Sequence, residues 1–321
     1  MAISVALRHD NNQSVTDSTA SELRFRPVEF RDIPLLTEFF NRYPSRSCDF
    51  SVGGVLMWAD YFNYRIAIHE SSLLIAGTDP ADRKNIFYAP CGPLDFRNYR
   101  QLISRHCSRI KATGIILEPF ESVPETPVTA HDYEHECATC WKEYLYDIDR
   151  FTAFSGRKME KKRNHLNFFI NNYSPFETEI ISGKSAAELI AFTIAFGDSH
   201  IDNPLAAYEC GAVTEVLRRF DDYPFFGLAL RIGGEIAGYT FGEKTGDTFF
   251  VHVEKGNIDF RGIYQALASR LACEVKSRFP EVRYLNREED MGDESLRRSK
   301  ESYHPTLFIN KRMLETDITK I

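Results

Sequence analysis

The chain has 321 residues, a length that suits two domains of about 150 residues each. Hydrophobic residues make up 43% and aromatics 13%, a composition that fills cores and excludes wholesale disorder. With 39 Lys+Arg against 46 Asp+Glu the net charge is -7, so affinity for nucleic acid must come from a local patch and not from the whole surface. No apolar run reaches the roughly 18 residues of a membrane span, which leaves room only for peripheral contact with a membrane. Residues 1–20 have no apolar core of signal-peptide length and read as a polar, mobile tail. Seven cysteines, an odd number scattered along the chain, point to reduced thiols and a cytoplasmic setting.

After the tail, "ELRFRPV" alternates as a strand does and "FRDIPLLTEFFNRY" has helical periodicity. "RIAIHESSLLIAG" reads as two strands around a turn at Glu70, Ser71 and Ser72, followed by the strand "NIFYAP". "FRNYRQLISRHCSRIKATG" is a helix with Gly114 as its expected C-terminal cap, and "GIILEPF" is a strand. "ESVPETPVTAHDYEHE" is the best loop candidate. "EYLYDI" is a strand, "SGRKMEKKRNHLNFF" a basic helix, and "SAAELIAFTIAFGDS" and "VTEVLRRF" are helices. "FGLALRIGGEIAGYTFGEKTGDTFFVHVEK" reads as three strands with turns at Gly233-Gly234 and Gly246-Asp247. The helix "IYQALASRLACEVKSRF", the strand "VRYLNRE", the helix "DESLRRSKESY" and the strand "TLFINKR" complete the chain. Each half thus repeats one order of elements, which predicts a duplicated α+β unit over 21–145 and 146–321.

Three segments, "EYLYDIDRFTAFSGRKMEKKRNHLNFF", "FFVHVEKGNIDFRGIYQAL" and "YLNREEDMGDESLRRSKESYHP", resemble the C-terminal domain of bacterial phosphatidylglycerol lysyltransferase. "SCDFSVGGVLMWADYF" in the first half is similar less distinctly. The resemblance implies two tandem acetyltransferase-like (GNAT) domains, each a mixed sheet flanked by helices. It also implies kinship with the peptidoglycan-bridge aminoacyltransferases, which move an amino acid from aminoacyl-tRNA to an amine or hydroxyl. The sequence contains no membrane-spanning half, and the acceptor stays open between lipid, peptide and small molecule.

Three constellations carry the candidate chemistry. In the basic helix, at about 100° per residue, Met159, Leu166, Ile170 and Tyr173 share a stripe. Lys158, Lys161 and His165 lie off it; with Lys162 they are candidates for holding the phosphates of a tRNA acceptor end. Arg163 falls inside the stripe and is expected to be buried against Glu288, Glu289 or Asp290, with Lys158, Lys161 and Lys162 exposed. The plain alternative is a solvated basic face.

In "DTFFVHVEKGNIDFRGIYQAL", strand alternation puts Phe250, His252 and Glu254 on one face, where a His and a Glu can act as general base and orienting acid. They could equally be a satisfied polar pair. In acetyltransferase folds the following turn carries an Arg/Gln-x-x-Gly-x-Gly/Ala pattern that holds the pyrophosphate of coenzyme A. Here "NIDFRGIYQA" has Gly262 alone, with Tyr264 where a small residue belongs, which argues against acetyl-CoA.

In "NREEDMGDESLRRSKESYHP", Glu288, Glu289 and Asp290 are candidates for recognising a cationic amino acid, or partners for Arg163 and Arg287. The resemblance makes Tyr303 a candidate acid for the leaving group and carries Asn286 and Lys300 along in the same segment. "HDYEHECATC" offers His131, His135, Cys137 and Cys140, but the spacing is too compressed for a finger, and free cysteines with no metal are the expectation. The leading reading is an aminoacyltransferase that uses aminoacyl-tRNA as co-substrate and needs no bound cofactor. The alternatives are an acyl-CoA-dependent N-acyltransferase with an altered pyrophosphate loop, and a non-catalytic binding module on the same fold.

Overall fold

The computed structural model describes residues 23–124, 141–198 and 204–316. The expected tail over 1–20 and the residues His131, His135, Cys137 and Cys140 lie outside these. The first half contains β1 (Arg26–Pro27), α1 (Ile33–Arg42), α2 (Val52–Met57), β2 (Arg65–His69), β3 (Ser72–Thr78), β4 (Asn85–Tyr88), α3 (Phe96–Ile110) and β5 (Gly114–Ser122). Then come β6 (Glu143–Asp147), α4 (Ile148–Ala153), α5 (Glu160–Tyr173), β7 (Glu177–Ile180), α6 (Ala186–Asp198) and α7 (Pro204–Arg218). The remaining elements are β8 (Phe225–Ile232), β9 (Glu235–Thr245), β10 (Thr248–Gly256), α8 (Ile263–Arg278), β11 (Tyr284–Glu289), α9 (Glu294–Glu301) and β12 (Leu307–Glu315).

Local chemistry accounts for most boundaries. Glu70 and Ser71 adopt left-handed φ of 45° and 57° and close a two-residue hairpin between β2 and β3. Asp95 caps α3 by accepting from the Arg97 and Asn98 amides. The left-handed C-cap of α3 is Lys111, at φ 53°, and not Gly114, which opens β5 instead. Gly233, Gly234 and Gly246 have positive φ at the two turns the sequence marks.

The twelve strands form one mixed sheet in the order β1-β2-β3-β4-β5-β12-β6-β11-β10-β9-β8-β7. Each half repeats one plan. Antiparallel neighbours lead to a single parallel pair, β4 with β5 and β10 with β11, and one more antiparallel strand closes the half. The closing strands are exchanged along the chain. β6 precedes the second half and pairs with β11, whereas β12, near the end of the chain, returns to pair with β5 over eight residues.

Helices cover both faces of each half. Leu36 and Phe40 of α1 pack with Ile66 and Leu73 on one face, and Tyr99, Ile103 and Cys107 of α3 with Leu74 and Ile116 on the other. In the second half, α4, α5 and α8 supply Phe151, Phe169 and Leu267 against Phe249 and Leu285. Leu189 and Val213 of α6 and α7 pack on Tyr239, Phe241 and Val253 across the sheet.

The parallel pairing of β10 with β11 ends at Phe250 and Asn286. Just beyond, both strands bulge. In β10, Val251 faces Gly242 and Val253 faces Phe241, so His252 is the extra residue. In β11 the register against β6 shifts between Asn286 and Glu289, with Glu288 at φ 58°. A bulge bends its strand and breaks its ladder, so two at one level hold the strands apart.

Candidate active site

A cavity of about 860 Å³ occupies the gap between β10 and β11. α2, with Met57 and Trp58, forms one wall; Lys162 of α5 and Tyr264 and Gln265 of α8 form the other. The bulge corrects the expectation that His252 and Glu254 share a face. Val251 packs with the α8 core but Val253 with the α6–α7 core, because the inserted His252 reverses the alternation. His252 therefore sits on the α2 side and Glu254 on the α8 side, and both reach the cavity through the gap.

His252 is held at both nitrogens, with Nδ1 2.6 Å from Glu288 Oε1 and Nε2 2.8 Å from Glu243 Oε1. Burial opposes its charge, but Glu288 and Glu243 outweigh that and raise its pKa to about 9. The ring is a buried imidazolium between two carboxylates, which removes the free nitrogen a general base needs. Gly53 packs against it: a Cβ there would come 2.5 Å from the ring. The Gly53 amide donates to Glu243 Oε1 at 2.6 Å.

Glu254 accepts from Arg287 Nη2 at 2.7 Å. Burial raises its pKa, and Arg287, Lys300 and Lys162 oppose that rise. Arg287 lies with its Cζ 4.9 Å from the Tyr303 ring, and its Nη1 is fully buried without a hydrogen-bond partner. Tyr303 is buried and stacks on Phe151, and its hydroxyl accepts from Gln265 Nε2 at 2.7 Å. Lys300 is buried, donating to the Arg287 and Glu289 carbonyls; burial and then Arg287 lower its pKa to about 8. Tyr264 lines the cavity with its hydroxyl on the Gly256 carbonyl.

The basic helix departs from the wheel. A 3-10 turn over Arg157–Met159 precedes α5, so Met159 is out of phase with the α-helical 100° step. Leu166 and Phe169 are buried while Ile170 is exposed. Lys158 and Lys161 are exposed as expected, but Lys162 is half-buried and lines the cavity, its Nζ 3.7 Å from the Tyr303 ring centre. Burial and Arg287 lower the Lys162 pKa to about 8. The expected Arg163–carboxylate pair does not form. Arg163 is half-buried and donates to the carbonyls of Phe154 and Gly156 at 2.7 and 3.1 Å, satisfying the turn that leads into the helix. His165 is half-buried and does not line the cavity; its carbonyl lies 2.3 Å from where a Gly262 Cβ would stand.

The acids at the end of β11 and just beyond it divide their work. Glu288 clamps His252 and lines the cavity. Asp290 is buried, accepting from Tyr144 and, bidentately, from Arg297. Glu289 pairs with the fully buried Lys311 of β12, whose ammonium also lies 2.8 Å from Asp49 and 3.3 Å from Glu143. Burial raises the Glu289 pKa to about 8 against the pull of Lys311. Cys48, Asp49, Glu143 and Glu289 have ligand atoms within 4.8 Å of one another, but the Lys311 ammonium is the cation among these carboxylates. Asn286 is withdrawn from substrate binding: it is fully buried, donating to the Arg46 carbonyl and Glu143.

The first half's contribution was missed in the sequence. Asp49, Trp58, Tyr64 and Tyr88 all line the cavity. "SCDFSVGGVLMWADYF" held the signal, since Gly53 allows the close approach to His252.

The paired gap, flanking helices and strand order define an acetyltransferase-like α+β fold. FemX superposes with a TM-score of 0.53 at 7% identity, over 91% of this chain and 97% of that one. The C-terminal domain of a putative lysylphosphatidylglycerol synthetase from Agrobacterium fabrum gives 0.59 at 13% identity, over 89% and 92%. A conserved protein of unknown function from Bacteroides thetaiotaomicron gives 0.78 at 22%, over 91% and 98%. In sequence, an uncharacterized protein of Mycoplasmoides gallisepticum is 28% identical over 203 residues, 63% of this chain and 62% of that protein, so less than two thirds of that relative is spanned. Residues 40–314 match the family described as phosphatidylglycerol lysyltransferase, C-terminal, and the chain belongs to that family. It is thereby related to acyl- and aminoacyltransferases. Among the described residues no helix is long and apolar enough to cross a membrane.

Proposed function

We propose that the chain transfers an aminoacyl group from an aminoacyl-tRNA to an amine or hydroxyl acceptor in the gap between β10 and β11. The observation that carries this reading is the meeting of Glu254, Arg287 and Tyr303 in one cavity. The acceptor attacks the ester carbonyl and gives up its proton to Glu254, whose burial makes it a better base than a solvated carboxylate. Tyr303 donates a proton to the departing ribose oxygen; its own oxygen already accepts from Gln265, which leaves its O–H to point elsewhere. The positive field of Arg287, Lys162 and Lys300 favours the negative charge that develops at the carbonyl. Lys161, exposed on the same helix as Lys162, and Lys158, exposed in the turn before it, extend the basic surface outward.

The test is a transfer assay with the purified chain, a panel of radiolabelled aminoacyl-tRNAs, and amine, hydroxyl and lipid acceptors. Acceptor-dependent loss of the ester with label appearing in the acceptor is expected. Consumption of acyl-CoA in a parallel arm, with every aminoacyl-tRNA left intact, would replace this reading by the N-acyltransferase. Binding without turnover in both arms would leave the non-catalytic module.

A further inference from the structure

The cavity crosses the sheet, and its two ends differ in chemistry. Toward α8 lie Lys162 and Arg287, beside Glu254. Toward α2 the walls are Val55, Met57, Trp58, Phe62, Tyr64 and Tyr88. The Tyr64 and Tyr88 hydroxyls bond each other at 2.8 Å, so their polar tips are satisfied and the rings present apolar surface. Trp58 stacks on Tyr208 of α7 with ring centres 5.5 Å apart. The Tyr208 hydroxyl accepts from the Tyr61 amide at 3.1 Å and donates to the Met57 carbonyl at 3.2 Å, so α7 braces this wall.

The carboxylates that line the cavity are for the most part engaged. Glu209 lies 2.6 Å from the Lys255 ammonium, Asp290 pairs with Arg297, and Glu254 with Arg287. Lys311 serves Asp49, Glu143 and Glu289 together; burial raises the pKa of Asp49 and Glu289, so protons meet the surplus of acid there. Asp293 and Glu294 belong to the exposed start of α9. Glu288 differs: it shares the single charge of His252 with Glu243, and its side chain is 21% exposed. It therefore keeps negative charge for an incoming ammonium.

An aminoacyl ester brings one ammonium on its α-carbon, and Glu288 suffices for that. A second cation, at the end of the side chain, would need a second carboxylate and would meet the repulsion of Lys162, Arg287 and Lys300. We infer that the α2 end of the cavity is the pocket for the side chain of the transferred amino acid, and that it selects a large uncharged side chain, apolar or aromatic, over a cationic one. Contact with Val55, Trp58 and Phe62 removes apolar surface from water, which is the source of affinity this wall offers. The acids that the sequence offers for a cationic amino acid are instead held by the protein's own cations, Glu288 in part. The inference rests on the transfer reading above, although its test needs no transfer.

The experiment is calorimetric titration of the full chain with the amides of phenylalanine, leucine, alanine and lysine. All carry the same α-ammonium and carbonyl, so differences among them report the side chain. The tighter of phenylalaninamide and leucinamide should bind at least about tenfold better than alaninamide, the effect of burying one large apolar side chain. Lysinamide should bind no better than alaninamide. Trp58→Ala should reduce the preference for the large side chain by about tenfold; a melting curve shows whether the variant is folded, and the ranking in the unaltered chain decides the matter if it is not. Large amides that bind no better than alaninamide, or not at all, overturn the pocket, and so does lysinamide binding more tightly than either. An unchanged preference in a folded Trp58→Ala chain overturns the placement at the α2 end. The ranking without any transfer from aminoacyl-tRNA keeps the pocket and removes the transfer reading; transfer of lysine without the ranking does the reverse.

Discussion

The two halves share a strand order, yet their gaps are lined differently. In the first half, β4 and β5 frame a smaller pocket of about 470 Å³, walled by Tyr43, Phe50, Pro90, Cys91 and Leu94. The second gap holds Glu254, Arg287, Lys300 and Glu288. One topology therefore carries a mostly apolar hollow, with Glu118 its one carboxylate among the described residues, and a densely charged one. The difference lies in the residues at the far end of each strand. The sequence after β4 runs Ala89-Pro90-Cys91-Gly92, without a titratable side chain apart from the thiol, whereas β10 and β11 place ionisable residues on their bulges. The first half still matters to chemistry, but as a wall, through α2 and Asp49.

The contrast can be tested from its strongest point downward. Glu254→Gln keeps size and hydrogen bonding but removes the proton acceptor, so the transfer rate should fall by about a hundredfold or more. A loss under threefold in single-turnover measurements would take Glu254 out of the reaction and make the charged gap as inert as the apolar one. His252→Gln leaves Glu243 and Glu288 buried without their cation and should destabilise by about 3–5 kcal/mol near neutral pH. The sign with pH comes from the raised pKa. The histidine's contribution is complete below its unfolded value of 6.5 and disappears as pH rises through about 9. Denaturant melts from pH 6 to 9.5 should show the gap between wild type and His252→Gln narrowing by roughly 3 kcal/mol; a constant gap would mean the ring is neutral.

Gly53→Ala tests the wall. Its Cβ would sit 2.5 Å from an imidazole that two carboxylates hold in place, so a cost of about 1–3 kcal/mol is expected in urea unfolding. No loss of stability would show that the clamp yields. The smallest effect belongs to the apolar gap, where Cys91→Ala should cost about 1 kcal/mol of packing and leave transfer within about twofold. A large loss of transfer in that variant would dissolve the distinction between the gaps.

Much of this was legible in the sequence. Alternation with Gly233-Gly234 and Gly246-Asp247 located β8, β9 and β10, and the charged run from Arg287 to Lys300 does line the cavity. The bulges were not, because His252 and Glu288 carry no local mark of an inserted residue and period-two counting passes straight through them. The phase of α5 was lost for a similar reason, since a 3-10 turn advances faster than the wheel assumes. Partners of the acids were beyond reach of local reasoning: Glu289 finds Lys311 only because β12 crosses to the other half. Resemblance, and not periodicity, supplied the acetyltransferase-like fold.

The exchange of closing strands has a consequence for biosynthesis. β5 emerges from the ribosome almost two hundred residues before its partner β12, since Ile115 pairs with Glu315. Until then one edge of the amino-terminal sheet is bare and Asp49 and Glu143 lack the ammonium of Lys311. Folding of that half cannot finish in step with its own synthesis. The nascent chain must keep an unpaired edge from other strands until β12 has been translated, the kind of exposure that chaperones serve.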